Sequence, residues 1–243
     1  MMDYTLYKDF AKEKLGFEFN DIKLLVTALT HRSYVNEHKG AHEHNERLEF
    51  LGDAVLELVS SDFLYRNFNE PEGVMTALRA ALVRTESIGD AGKELGYEPL
   101  VRLSKGEKQG SERAHDVILA DCFEAVIGAI YLDQGYEMAK DFIYKHIIVK
   151  IDMILEEGLW RDPKSYVQEL AQKVEGVTPV YRTLAEEGPD HDKVFTVGIY
   201  VGTKLIGKGT GHSKQEAQTM AAREGVKKYH GEGKAQVIHR VKS

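Results

Sequence analysis

Four carboxylates, Glu46, Glu49, Asp53 and Glu57, recur at spacings of three and four along the run Glu46-Arg47-Leu48-Glu49-Phe50-Leu51-Gly52-Asp53-Ala54-Val55-Leu56-Glu57. On a helix, at about 100° per residue, they fall within an arc of roughly 80°. Leu48, Leu51, Val55 and Leu58 fall on the far side. One stripe is available for burial while the other lines up acids. Like charges four residues apart repel by a few tenths of a kcal/mol, so a cation, or water alone, must offset them. Asp121 and Glu124 make a second pair at i,i+3, with Cys122, Phe123, Val126, Ile127 and Ile130 opposite. If the two helices pack side by side, Glu49, Asp53, Asp121 and Glu124 converge. Four oxygen donors without His or Cys suit a hard divalent ion, and Mg²⁺ accepts carboxylates while keeping several waters. Two such ions, or one plus a bound phosphate, can activate water and stabilise the leaving oxygen of a phosphodiester. Either pair alone reads more readily as solvated helix surface. Gly52 tips the balance, because a mid-helix glycine costs ~1 kcal/mol against alanine and points to close backbone packing.

Two kinds of segment must position these acids. Residues 1–157 read as helical, with apolar spacings of three to four. The expected helices are Asp3–Leu15, Ile22–Thr30 with Asp21 as N-cap, Asn45–Asn67, Glu72–Arg84, Thr85–Leu95, Asp116–Leu132 and Tyr136–Glu157. Gly96, Gly135 and Gly158 stand where helices end. Gly106 to His115 reads as an exposed polar loop. Gly158 to Pro163 breaks the pattern, with Pro163 opening the next helix. Val180–Ala185, Lys193–Val201 and Thr203–Gly209 alternate like half-buried strands, and Ser213 caps a closing helix to His230. The expected architecture is a mainly α domain over 1–158, a linker at 159–161, a small α+β domain of order α-β-β-β-α over 162–230, and a frayed tail at 231–243.

Composition narrows the class. The chain has 243 residues, 42% hydrophobic and 29% charged, ordinary for a soluble globular protein. Its one cysteine, Cys122, excludes disulfide frameworks and multi-thiolate zinc sites and favours a reducing, cytoplasmic setting. No apolar run reaches a membrane-spanning length of about 18 residues, and no secretion signal is visible at Met1-Met2-Asp3-Tyr4. From Asp162 onward there are 13 Lys/Arg against 10 Asp/Glu, while residues 1–161 hold 19 against 29. Such asymmetry assigns the two segments different tasks.

The acidic run, extended to His44-Asn45-Glu46-Arg47-Leu48-Glu49-Phe50-Leu51-Gly52-Asp53-Ala54-Val55-Leu56, resembles the signature of the ribonuclease III family. Ile118-Leu119-Ala120-Asp121-Cys122-Phe123-Glu124-Ala125 and Ala28-Leu29-Thr30-His31-Arg32-Ser33 resemble two further family segments. The resemblance implies that Glu49, Asp53, Asp121 and Glu124 are catalytic, metal-binding carboxylates, with Glu46 and Glu72 in supporting roles. It implies Mg²⁺, for which Mn²⁺ substitutes, and no small-molecule cofactor. It also implies a helical nuclease that acts as a homodimer, each centre cutting one strand of double-stranded RNA to leave 5′-phosphates and short 3′ overhangs. Lys105-Gly106-Glu107 and Arg113 fit the loop before the second segment, but Ser111-Glu112 stands where the family usually has two glycines. Phe50, Leu51 and Leu58 suit either a seam between subunits or packing within one. A single histidine such as His31 is ordinarily a packed, hydrogen-bonded residue, and His44 and His115 carry no chemistry of their own.

The second module resembles a double-stranded RNA-binding domain in three segments, Asp162–Leu170, Gly188-Pro189-Asp190-His191 and Gly209-Thr210-Gly211-His212-Ser213-Lys214. Such domains read the shape of a duplex across about 16 base pairs. The resemblance implies that Ser165, Gln168 and Glu169 touch one minor groove and His191 the next. It places Lys214 and the backbone at Ser213 on the phosphates between, where a helix N-terminus favours negative charge. Gln215 stands where a second lysine is usual, so one phosphate contact is missing and binding should be weaker and less salt-sensitive. The leading expectation is an endoribonuclease that processes ribosomal and other structured RNA precursors. The alternatives are a binding protein with an inactive nuclease fold, which would be expected to have lost one of the four acids, and a small-nucleotide phosphohydrolase, which would not need the basic module.

Overall fold

The computed structural model describes residues 3–38, 40, 43–189 and 192–230. Helices α1 (Thr5–Phe10), α2 (Ile22–Ala28), α3 (Arg32–Glu37), α4 (Glu46–Asn67), α5 (Glu72–Leu82), α6 (Thr85–Leu95), α7 (Glu112–Gln134), α8 (Tyr136–His146), α9 (Ile151–Glu156) and α10 (Pro163–Glu175) precede a three-stranded sheet. Strands β1 (Val180–Glu187), β2 (Val194–Val201) and β3 (Lys204–Gly211) are followed by α11 (Lys214–His230). Contacts divide the chain into two units, one running to Asp152 and one beginning at Met153. None of the described helices is long and apolar enough to cross a membrane.

The first unit is built around α7, which buries Ile118, Leu119, Cys122, Phe123, Val126, Ile127 and Ile130 against α2, α4, α6 and α8. The expected α4 forms, with Leu48, Val55, Leu56, Val59 and Phe63 buried. Its apolar stripe departs from expectation at one end: Leu51 is half-buried and Leu58 is 57% exposed. Leu58 instead borders a groove of about 480 Å³ between α4 and α5.

Several boundaries differ from the sequence reading: the expected helix Asp3–Leu15 is α1 followed by a wider π-helical turn over Ala11–Leu15, and the larger departures elsewhere have local reasons. The short α3 was not expected; the ring Nδ1 of His31 accepts from the backbone N–H of Ser33 and caps it. Helix α7 begins at Glu112, inside the expected loop, because the Ser111 hydroxyl accepts from the Ala114 N–H. A single turn, Glu107–Gln109, occupies the middle of that loop. The expected helix Tyr136–Glu157 breaks at Ile147 into a tight turn over Ile148–Lys150 before α9. Ile147-Ile148-Val149 are β-branched and lose side-chain freedom in a helix, and the break buries Ile147, Ile148 and Ile151 together.

In the second unit Asp162 caps α10 by accepting from the Ser165 N–H at 2.8 Å. The strands pair antiparallel in the order β1-β2-β3, and α10 and α11 cover one face. Tyr166, Val167 and Leu170 meet Val197, Ile199 and Ile206 there, with Ala217, Ala221, Val226 and Tyr229 from α11. Strand β3 lies almost on α11. A methyl on Gly207 would stand 2.6 Å from the Ala221 carbonyl oxygen, which explains the Gly207, Gly209, Gly211 alternation.

Candidate functional site

Helices α4 and α7 cross backbone to backbone. A methyl on Gly52 would run into the Glu124 carbonyl and stand 2.9 Å from the Gly128 nitrogen; one on Gly128 would run into the Leu48 carbonyl. This reciprocal contact fixes the register in which Glu49 and Asp53 meet Asp121 and Glu124. The start of α4 is tied down as well. Asn45 is fully buried; its backbone N–H donates to the Thr30 carbonyl at 2.9 Å, and its Nδ2 reaches Cys122 Sγ at 3.7 Å, beside Asp121.

The acids converge electrostatically. Burial pushes the Glu124 carboxyl up to about 8, and repulsion from Asp53, Glu49, Asp121 and Glu57 adds to it. Glu49 is raised by burial and by Asp121, Glu46 and Asp53. Asp121 is raised by burial; His31 pulls it back and Glu46 pushes further. Glu49, Asp121 and Glu124 are half-buried and Asp53 is exposed. Among the described residues no three His, Cys, Asp or Glu side chains are gathered tightly enough to enclose an ion by themselves. The donor set nevertheless fits Mg²⁺, which binds through one or two carboxylates and keeps several waters; repelling, half-buried oxygens of this kind are what a divalent charge relieves.

The supporting acids separate. Glu46 lies beside the cluster, 3.4 Å from Arg32 Nη1 and 3.8 Å from His44 Nδ1. Glu72, at the start of α5, accepts from Thr76 Oγ1 at 2.9 Å and lines the α4–α5 groove with Tyr65, Met75 and Arg79; it is not among the groups acting on Glu49, Asp121 or Glu124. Two neighbours carry no role in the sequence reading. Glu57 acts on Glu124 while paired to Arg79 at 2.8 Å; its place on the acidic stripe was the available signal. His31 is packed as expected, but it also acts on Asp121, and nothing in its sequence spacing announces that.

A pH dependence follows from Glu124. Its folded value of about 8 exceeds the ordinary 4.5, so between these values the metal-free folded chain holds a proton that the unfolded chain has lost. Stability therefore falls as pH rises through that window. A divalent ion that displaces the proton offsets the loss, more at pH 8 than at pH 6. Thermal melts of the metal-free protein should show a midpoint falling with pH, and a Mg²⁺-induced rise that grows with pH. A Mg²⁺ effect independent of pH would contradict the arrangement.

On the second unit, Ser165, Gln168 and Glu169 stand exposed on one face of α10, and Ser213 and Lys214 are exposed at the start of α11. Glu169 pairs with Arg161 at 3.3 Å. His191 and the 231–243 tail lie outside the described residues.

Comparison with known proteins agrees in both units. The family described as Ribonuclease-III-like matches residues 21–151, and the double-stranded RNA binding motif matches residues 163–229. The chain is 44% identical to Ribonuclease 3 of Protochlamydia amoebophila over 88% of each chain. It is 43% identical to Ribonuclease 3 of Desulforamulus reducens over 92% of each. A solved nuclease domain of ribonuclease III from Campylobacter jejuni, described for flexibility in a region involved in dimer formation, superposes with a TM-score of 0.53 at 39% identity. It covers 57% of this chain and 94% of that one. With its helical nuclease unit, its acidic crossing and its α-β-β-β-α module, the chain belongs to the ribonuclease III family of endoribonucleases.

Proposed function

We propose that this chain is a Mg²⁺-dependent endoribonuclease that cuts double-stranded RNA as a cytoplasmic homodimer, leaving 5′-phosphates and short 3′ overhangs, and that it processes ribosomal and other structured RNA precursors. The observation that carries this reading is the crossing of α4 and α7, which gathers Glu49, Asp53, Asp121 and Glu124 into mutual repulsion. These four carboxylates hold the metal, with Mn²⁺ able to replace Mg²⁺. When bound, the ion supplies Lewis acidity to the scissile phosphate and lowers the pKa of the attacking water. Glu124, raised to about 8, is suited to exchange a proton near neutral pH. Glu46 supports the cluster from the start of α4, whereas Glu72 lines the adjoining groove apart from it.

The dimer is supported by an apolar surface that the nuclease unit leaves open. Phe50 is 81% exposed, Tyr65 76% and Leu58 57%, beside a groove lined by Leu58, Leu64, Tyr65 and Met75. Exposed aromatics grouped in this way mark association surfaces. A second copy supplies the second centre that cutting both strands requires. The RNA-binding module, joined through the linker at 159–161, meets duplex RNA with Ser165, Gln168, Glu169, Ser213 and Lys214, and with His191 beyond the described residues. An inactive, binding-only role finds no support, because all four acids are present.

The test is a long labelled duplex RNA incubated with and without Mg²⁺. Mg²⁺ should give double cuts with 5′-phosphate ends, and a chelator should stop them. Cutting that survives the chelator would remove the metal from the reading, whereas tight binding without cutting in Mg²⁺ would favour the binding-only role.

A further inference from the structure

The lysine assigned above to RNA phosphate is already engaged by the chain's own carboxylate. Lys214 Nζ stands 2.8 Å from Glu186 Oε1 and 5.4 Å from the centre of the Phe195 ring. Glu186 on β1 and Phe195 on β2 are directly paired across the sheet, so a carboxylate and an aromatic face from adjacent strands hold one ammonium between them. The contact works both ways, since the hydrogen bond from Lys214 keeps the exposed Glu186 carboxyl below its ordinary range. The rest of this turn is satisfied internally. Ser213 Oγ accepts from the Glu216 N–H at 3.1 Å and Glu216 Oε2 accepts from the His212 N–H at 2.9 Å, a reciprocal cap. With Gln215 next in the chain, Lys214 is the single cation in the first turn of α11.

We propose that Glu186 competes with RNA for Lys214: it holds the ammonium in the free protein, yields it to a backbone phosphate in the complex, and so sets the affinity and the salt dependence of duplex binding. The proposal rests on the reading of Lys214 as a phosphate contact. A lysine ammonium is a donor only, and carboxylate and phosphate oxygens claim the same protons. A cation that exchanges one anionic partner for another gains less than a free one. The carboxylate left behind also faces the phosphate backbone with only the field of Lys193 to offset its charge, which holds back part of the counterion release that drives such binding.

The experiment uses the full-length chain carrying Asp53→Asn, so that RNA stays intact. Dissociation constants for a short duplex RNA are measured across a range of salt, for this parent and with Glu186→Gln, Lys214→Ala or both added. Glu186 is exposed, so glutamine replaces it without repacking. Glu186→Gln is expected to tighten binding roughly threefold at low salt, the scale of an exposed ion pair, and to steepen the slope of log affinity against log salt by up to about one. Lys214→Ala should weaken binding, and on that background Glu186→Gln should have little effect. If Lys214→Ala weakens binding while Glu186→Gln leaves it unchanged or weakens it, Glu186 is a bystander or a positioning group and the competition is refuted alone. An equal gain from Glu186→Gln with and without Lys214 would also refute it, since the effect would then be a general field. If Lys214→Ala changes nothing, the phosphate reading falls and the proposal with it.

Discussion

Asp53→Asn and Glu124→Gln should each reduce cleavage of duplex RNA by about a thousandfold or more, the scale on which one electrostatic catalytic group acts, while leaving duplex binding nearly unchanged. Both substitutions keep side-chain size and remove only the negative charge. Asp53 is exposed, so its loss does not disturb packing. Glu124 is half-buried and repelled by Asp53, Glu49, Asp121 and Glu57, so the neutral amide should stabilise the metal-free fold even as it removes a ligand. That opposite movement of stability and activity separates loss of a working acid from loss of structure. Cleavage rates under single-turnover conditions, beside binding isotherms and melting curves, provide the check. Near-normal cutting by either variant in Mg²⁺ would show that the reaction is centred elsewhere.

The second large effect belongs to Gly52→Ala. An exposed or loosely packed helix position would gain ~1 kcal/mol from this change. Here the new methyl would meet the Glu124 carbonyl and the Gly128 nitrogen, and two backbones, not two flexible side chains, would have to separate. Overpacking of this kind costs about 3 kcal/mol or more, a fall of roughly 6–12 °C in the melting midpoint for a domain of this size. Cleavage should fall as well at temperatures where the variant is folded, because a displacement of ~1 Å between the acid pairs can cost ~10²-fold in rate. Gly73→Ala is the matched control: it lies on α5 with nothing within 4 Å of its added methyl. A Gly52→Ala protein that melts and cuts like the parent would mean that the helices do not cross as described.

Much of the site was legible because its helices are amphipathic in an unusual sense, apolar on one side and acidic on the other. Leu48 and Val55 on α4, and Phe123, Val126 and Ile127 on α7, are buried as their spacing requires, and the acids follow on the opposite faces. Gly52 was informative because its conformational cost needed a reason, which the Glu124 backbone supplies. What spacing could not reveal were contacts between distant segments. The cap that starts α3 uses a histidine ring, which is outside the usual capping set. Leu58 belongs to the apolar stripe by angle, yet it borders the α4–α5 groove, because a helical projection records direction and not what lies in that direction. Glu72 and Glu57 illustrate the same limit. One stands in the groove and the other acts on Glu124, a distinction that only the packing of α5 against α4 creates. In the second unit, alternation located all three strands to within two residues, while the register that sets Glu186 beside Phe195 depends on pairing across the sheet.

Cys122 has a practical consequence. It is fully buried in the face that α7 turns toward the Asn45 amide, and burial first, then the neighbouring Asp121, holds its thiol well above the ordinary range. A protonated, enclosed sulfur resists oxidants and alkylating agents, so the carboxylate cluster, with no other thiol in the chain, carries little liability to thiol oxidation. The same seclusion makes this sulfur a native stopwatch. A thiol reagent can reach it only when the packing around α7 opens, so the labelling rate reports how often the core that carries the four acids comes apart.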